Sequence, residues 1–188
     1  MISNLQQKLD AISKEMKARD KQTVEKPELD FACSVFEKEY EADYCAGDIP
    51  IGNLLSKKVN LLNNICFTSS EDDISLSDIV FFDTETTGLG TGASTAAFLI
   101  GTGYFEGSRF IIKQFLMNDY HQEPDMLRSL NNILEEHKAV ISYNGKSYDN
   151  HIVNSRLILN RLPRLLEGKV QMDLLHSARR LYKKRLPS

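Results

Sequence analysis

The chain has 188 residues, of which 41% are hydrophobic and 26% charged. This length allows one ordinary domain with an appendage, and this composition excludes wholesale disorder. The formal net charge is −3, but residues 28–78 carry eleven acidic residues against three lysines, a balance of −8, whereas residues 151–188 carry nine Lys or Arg against two acids, a balance of +7. The basic end indicates either a contact with a polyanion or a solvated helix face.

The sequence favours a soluble protein of the reducing cytoplasm. No run approaches the roughly 18 apolar residues that a membrane-spanning helix needs, and the first residues lack the apolar core of a signal peptide. The three cysteines, Cys33, Cys45 and Cys66, form no C-x-x-C pair and are expected to be free thiols. We therefore expect no membrane contact, and the sequence leaves the oligomeric state open.

Residues 1–75 are predicted to form an extension that precedes the main domain. Near the N-terminus, apolar residues recur at steps of three and four, as in an amphipathic helix. We expect this helix to dock on its own chain, with pairing to another chain as the alternative. From Pro27 to about Ser75 the sequence is acidic and irregular, and residues 68–73 resemble a linker. The apolar stripe of the predicted helix consists of Ile2, Leu5, Leu9, Ile12 and Met16.

Residues 76–188 are predicted to form an α/β domain with a mixed sheet covered by helices. The apolar run at residues 79–82 predicts a central strand, and two β-rich runs around residues 106–108 predict a hairpin, so the first three strands should be antiparallel. Pro124 suits the first turn of a helix. The later elements are a strand at 139–142, a helix near Tyr148, a short strand at 170–172 and a basic helix at 174–184.

Three carboxylates follow strands of this predicted sheet. Asp83 and Glu85 project to one side of the first strand, and Asp149 lies in the first turn of the helix after a neighbouring strand. At about 5 Å and an effective dielectric near 20, each ionised pair repels by on the order of 3 kcal/mol, which favours proton uptake or a metal ion. Oxygen ligands point to Mg²⁺ or Mn²⁺ and not to zinc. The alternatives are an exposed polar turn and an ordinary helix-capping acid.

Two segments of the domain resemble known motifs. Residues 82–89, Phe-Asp-Thr-Glu-Thr-Thr-Gly-Leu, are similar to the first motif of the ribonuclease H-like DEDD exonucleases, which include polymerase proofreading subunits, and residues 143–149 resemble the second. Leu99-Ile100-Gly101 and the segment from Asp173 to Arg180 bring the chain closest to a predicted-exonuclease branch. The resemblance covers about residues 78–185. It implies a ribonuclease H-like fold with a mixed five-stranded sheet and flanking helices.

The resemblance also implies an activity, the 3′ to 5′ cleavage of DNA or RNA by two Mg²⁺ or Mn²⁺ ions about 4 Å apart, one activating water and the other stabilising the leaving 3′ oxygen. By motif position, Asp83 would bridge the ions, Glu85 would bind the first and orient its water, and Asp149 would reach the second through water. Basic residues of the last segment would hold phosphates. The residues expected to contact the substrate are Thr86, Leu89 and Asn144.

One part of the family pattern is missing from this chain. The family carries a fourth Asp, preceded by a His or Tyr that acts as general base, on a helix after the last strand. Asp173 and His176 stand in the wrong order for that motif, and Asp173 resembles the residue that opens the preceding helix, although it is kept as an alternative ligand. Two rival interpretations follow: a non-catalytic nucleic-acid-binding or interaction module, and the front part of a longer nuclease.

Overall fold

The structure is a computed structural model that describes residues 7–14, 32–57, 74–88 and 94–182. Its strands are β1 (Ser34–Tyr40), β2 (Cys45–Ala46), β3 (Ile49–Pro50), β4 (Ile79–Thr86), β5 (Ala97–Glu106), β6 (Arg109–Leu116), β7 (Ala139–Ser142) and β8 (Val170–Asp173). Its α-helices are α1 (residues 7–14), α2 (Glu123–Glu136), α3 (Asp149–Leu159) and α4 (Leu174–Leu181). None of the helices in these four ranges is long and apolar enough to cross a membrane.

The strands form a six-stranded mixed sheet in the order β1-β6-β5-β4-β7-β8, with β2 and β3 paired separately. The predicted central strand is confirmed, because β4 lies between β5 and β7. The predicted hairpin is also confirmed: β5 and β6 are antiparallel, Glu106 pairs with Arg109, and Gly107 adopts a φ of +61° in the turn. The sequence thus predicted the arrangement of these three strands.

The other half of the sheet is parallel. Ile79 of β4 pairs with Ala139 of β7, and Ser142 of β7 pairs with Asp173 of β8. Because the carboxyl ends of parallel strands meet at one edge of a sheet, the segments that follow β4, β7 and β8 lie together. We call this border the carboxyl edge.

The larger core lies between the sheet and the helices. Buried side chains of β4 to β7 pack there against α2 and α3. Helix α2 begins with Pro124 in its first turn and buries the apolar face that its spacing predicts. Leu9 of α1 is buried in this core and Ile12 packs against it, so the predicted docking is confirmed for these two residues. Ile2, Leu5 and Met16 lie outside the described residues, as do Cys66 and the predicted linker at 68–73.

The sheet has a sixth strand where the sequence predicted five. β1 comes from the acidic stretch that was expected to be irregular, and it pairs antiparallel with β6. Its charged residues are paired across the strands, Glu37 with Lys113 at 3.1 Å and Glu39 with Arg109 at 2.5 Å. This edge strand has no continuous apolar run in its sequence. The residues that pair with it lie about 70 residues further along the chain, so no local pattern predicts the strand.

Candidate active site

Asp83 and Glu85 lie at the end of β4, where the strand reaches the carboxyl edge. Phe82 is buried while Asp83 and Glu85 are exposed, which is the alternation expected of a strand leaving the core. Asp83 pairs in register with Gly101 of β5. Since glycine has no side chain, the neighbouring strand leaves the space beside Asp83 open.

Asp149 comes to the same border from α3. It is the first residue of that helix and is only 6% exposed, and a carboxylate in the first turn is stabilised by the backbone N–H groups that the helix leaves unpaired. Its Oδ1 accepts a hydrogen bond from the hydroxyl of Thr84, the residue between Asp83 and Glu85. This bond ties the start of α3 to the end of β4.

The three carboxylates interact electrostatically. Partial burial raises the pKa of Asp83 above its usual value of 3.8, and the charges of Asp149 and Glu85 raise it further, against a lowering contribution from the backbone N–H of Thr84. A repulsion of this kind is relieved by a proton or by a cation. The Asp83 carboxylate is therefore repelled by the other two carboxylates that the sequence singled out.

The chemistry of this donor set fits a hard divalent cation, because carboxylate oxygens are the ligands that Mg²⁺ and Mn²⁺ prefer. The side chains have not converged into ligand positions. Within the four described ranges, no three Asp, Glu, His or Cys side chains are gathered closely enough to hold one metal ion. Asp149, which bonds to Thr84, would have to turn to share an ion with Asp83 and Glu85.

The segment after β4 is fixed by hydroxyl groups. Tyr148 donates its phenolic hydrogen to the carbonyl oxygen of Gly88 at 2.6 Å, and the Thr86 hydroxyl lies 2.8 Å from the same oxygen. The two hydroxyls are 3.2 Å apart. Thr86, an expected substrate contact, is thus beside the carboxylates, whereas Leu89 lies outside the described residues.

The turn between β7 and α3 brings its backbone close to Asp149. Asn144 has a φ of +67°, which this residue tolerates better than most. A Cβ on Gly145 would lie 2.6 Å from Cβ of Ser142 and 3.0 Å from Oδ2 of Asp149. Only glycine fits there, so the freedom expected of the Asn-Gly pair serves a close approach to the carboxylate. The Asn144 side chain is exposed at this edge.

Asp173 has the helix-opening position that the sequence indicated. It is the N-cap of α4, and its carboxylate accepts the backbone N–H of Leu175. It also accepts backbone N–H groups from Asn144 and Lys146. Both of its oxygens are therefore engaged by the protein itself.

A groove runs along the sheet face next to Asp83. Its volume is about 630 Å³, and its walls combine Asp83 with apolar side chains of β4, β6, β7 and the start of α4. Gly103 makes room in it, since a Cβ there would lie 2.7 Å from the ring of Phe110. The apolar side chains are Phe81, Phe82, Phe110, Ile112, Ile141 and Leu174.

Sequence reasoning assigned no role to two residues that organise this site. Thr84 bonds to Asp149 and Tyr148 bonds to Gly88. Both residues belong to the two segments that resemble known motifs. Their hydrogen-bond partners lie about 60 residues away in the chain, so no local pattern shows these contacts. The one available signal in the sequence was the hydroxyl residue Thr84 between Asp83 and Glu85.

The fold and the site define an α/β domain with a carboxylate cluster at the carboxyl edge of its parallel strands. The model of the ribonuclease H superfamily matches residues 80–188, which is more than half of the chain. The chain therefore belongs to the ribonuclease H superfamily, and the resemblance found in its motifs is confirmed at that level.

Individual proteins are also similar to the chain. YprB of Bacillus subtilis (strain 168), described as uncharacterized, is 34% identical over 158 residues, which cover 82% of this chain and 38% of YprB. Escherichia coli exonuclease I in complex with a dT13 oligonucleotide aligns at a TM-score of 0.44 and 13% identity, over 57% of this chain and 30% of that one. Apo exonuclease I aligns at a TM-score of 0.44 and 13% identity, over 57% and 31%. The chain thus spans well under half of each of these proteins.

Proposed function

We propose that this domain is a divalent-metal-dependent nuclease that removes nucleotides from the 3′ end of DNA or RNA. The observation that carries the proposal is the placement of Asp83 and Glu85 at the end of β4 with Asp149 at the start of α3, joined through the Thr84 hydroxyl. Membership of the ribonuclease H superfamily supports a nuclease chemistry for this cluster. The polarity of cleavage follows from the resemblance of residues 82–89 and 143–149 to the two exonuclease motifs.

Asp83, Glu85 and Asp149 would hold Mg²⁺ or Mn²⁺, with two ions as the expected number. When bound, such ions supply a water nucleophile at neutral pH and stabilise charge on the leaving oxygen. The protein contributes the placement of the oxygens: β4 directs Asp83 and Glu85, and the β7–α3 turn presses its backbone against Asp149.

Substrate contacts in this proposal come from the two segments that flank the carboxylates. Thr86 lies on the β4 side and Asn144 on the turn side, with Leu89 further along the first segment. Tyr148 holds the backbone of that segment through Gly88. Because the terminal nucleotide must be aligned with the attacking water, rigid flanking segments favour turnover.

A specific observation favours a second candidate function, a nucleic-acid-binding module without turnover. Asp173, the alternative fourth ligand, has both oxygens engaged by backbone N–H groups. Among the described residues, no group of three metal-ligating side chains is preassembled. Such a module would bind polyanions in a salt-dependent way and cleave nothing.

The test is digestion of single-stranded DNA and RNA oligonucleotides, labelled at either end, with Mn²⁺ or Mg²⁺. We expect stepwise shortening from the 3′ end, loss of activity in Asp83→Ala, and full activity in Glu41→Gln, which removes an exposed carboxylate outside the main sheet. Binding without shortening in every protein would establish the second candidate. Shortening that persists in Asp83→Ala would contradict the assigned site.

A further inference from the structure

Asp173 is a buried carboxylate with an unusual set of partners. It ends β8 and is 5% exposed. Oδ1 accepts the backbone N–H of Asn144 at 2.8 Å and that of Leu175 at 2.9 Å, and Oδ2 accepts the backbone N–H of Lys146 at 3.2 Å. The side chain thus joins two segments that are 27 to 31 residues apart in the chain. Hydrogen bonds to an ionised acceptor are stronger than hydrogen bonds between neutral groups.

The turn after β7, which bonds to Asp173, has no neighbouring strand to pair with in the described part of the chain. β7 ends at Ser142, which pairs with Asp173 itself, and the chain then leaves the sheet through Asn144 at a φ of +67°. The N–H groups of Asn144 and Lys146 therefore face the end of β8, where the Asp173 carboxylate accepts both of them. Without that carboxylate, these two donors would lose their partner within the protein.

The same turn is in contact with Asp149. The Gly145 carbonyl oxygen accepts the backbone N–H of Asn150 at 2.9 Å, which links the turn to the first residues of α3. The position that a Cβ of Gly145 would occupy is 3.0 Å from Oδ2 of Asp149. The backbone of the turn therefore lies close to that carboxylate, and its bond to Asn150 ties it to the start of the helix that carries Asp149.

We propose that Asp173 is a positioning residue for metal binding, an inference that rests on the proposed function. By accepting the backbone N–H groups of Asn144 and Lys146, Asp173 fixes the turn and thereby the position of the Asp149 carboxylate. It is not itself a ligand in this role. Asp173 also caps α4, so one carboxylate couples the start of the basic helix to the turn that borders the site.

The two roles of Asp173 can be separated by substitution. In Asp173→Ser, the hydroxyl is a good N-cap for α4 but offers one acceptor oxygen and a shorter reach. In Asp173→Ala both roles are lost. We expect hydrogen exchange of the Lys146 amide to rise at least about tenfold in both variants, while the Leu175 amide stays protected in Asp173→Ser only.

Mn²⁺ titration by calorimetry then tests the effect on the site, at a temperature where every variant is fully folded. We expect Asp173→Ser to bind Mn²⁺ about tenfold more weakly than wild type. The matched control is Asp125→Ser, which removes a carboxylate that accepts the backbone N–H of Cys33 near β1, at the opposite edge of the sheet; its affinity should equal that of wild type. In an Asp149→Asn background, Asp173→Ser should cause no further loss, because coupled residues are not additive.

The outcomes are distinguishable. Unchanged protection of the Lys146 amide in Asp173→Ser, or equal losses of Mn²⁺ affinity in Asp173→Ser and Asp125→Ser, would overturn the positioning role while leaving the proposed function intact. A further loss in the Asp149→Asn background would likewise overturn it, because Asp173 would then act independently of Asp149. If wild type itself takes up no Mn²⁺, the proposed function fails and the positioning role for metal fails with it.

Discussion

At the scale of single residues, Asp83 feels both its partial burial and the charges of the carboxylates that the fold brings near it. Asp83 has a raised pKa, first because of its partial burial and then because of Asp149 and Glu85. A carboxyl group whose folded-state pKa lies above its unfolded value is harder to ionise in the folded protein. Below pH 3.8 it is protonated in both states, and as the pH rises through the folded pKa its ionisation destabilises the fold.

Replacement of Asp83 by Asn should therefore stabilise the metal-free protein at pH 7. We expect a gain of about half a kcal/mol or less in the free energy of unfolding, since the side chain is exposed and screened by solvent. The gain should vanish near pH 3.5, where wild type is protonated too. Urea unfolding in EDTA at both pH values measures this, with Glu41→Gln as the control; a loss of stability at pH 7 would contradict the repulsion.

Gly145 is a second position in the site, where one added carbon atom would change the stability of the fold. A Cβ there would meet Cβ and Oγ of Ser142 at 2.6 and 2.7 Å, so Gly145→Ala should lower the free energy of unfolding by about 1–3 kcal/mol. The matched control is Gly168→Ala, where a Cβ would meet nothing within 4 Å. Thermal unfolding compares the two variants, and equal melting temperatures would show that the turn has room to relax.

At the scale of elements, the placement of α3 depends on a buried ion pair with α2. The Arg156 guanidinium donates to both oxygens of Glu123, at 2.6 and 2.7 Å, and Asn160 donates to the same carboxylate at 2.8 Å. The Glu123 side chain is 5% exposed. The pair fixes the helix that carries Asp149 at its first residue.

Removal of one partner from this pair should be costly, because the other charge stays buried. We expect Arg156→Ala to lower the free energy of unfolding by about 3 kcal/mol. Arg164→Ala, which breaks an exposed ion pair with Glu167, should cost less than about 1 kcal/mol. Denaturant unfolding of both variants checks the difference, and similar losses would mean that the α2–α3 pair adds nothing beyond a surface contact.

At the scale of the whole molecule, charge is separated along the chain. The acidic stretch contributes β1, the edge strand furthest from β8, and the basic stretch contributes α3, β8 and α4. Arg179 lies exposed on α4, about 9 Å along the helix axis from Asp173. An exposed arginine thus lies on the helix that begins at the carboxyl edge, where it would attract a polyanion.

Binding of single-stranded oligonucleotides should therefore weaken with salt. We expect the logarithm of the affinity to fall linearly with the logarithm of the salt concentration, and Arg179→Ala to reduce the slope by about 0.7 if its side chain meets one phosphate. Lys57→Ala, in the acidic part of the chain, should leave the slope unchanged. Fluorescence anisotropy at several salt concentrations measures both, and equal slopes for all three proteins would place α4 outside the binding surface.

The sequence by itself determined the parts of this protein that local pattern encodes. The apolar run at residues 79–82 predicted the central strand, and the turn at 106–108 predicted the hairpin. Asp83 and Glu85 lie at the end of one strand and Asp149 follows another, and parallel pairing brings these two strand ends to one edge. Burial periodicity and turn chemistry are properties of neighbouring residues, which is why they can be recognised without a fold.

Only the tertiary structure decided the rest. β1 pairs along its whole length with β6, a distant part of the chain. The Thr84 and Tyr148 side chains bond to partners about 60 residues away, and Asp173 holds a turn as well as capping a helix. Each of these is a hydrogen bond or ion pair between distant segments. Such contacts leave no periodic trace in the sequence, because their energy depends on which segments the folded chain brings together.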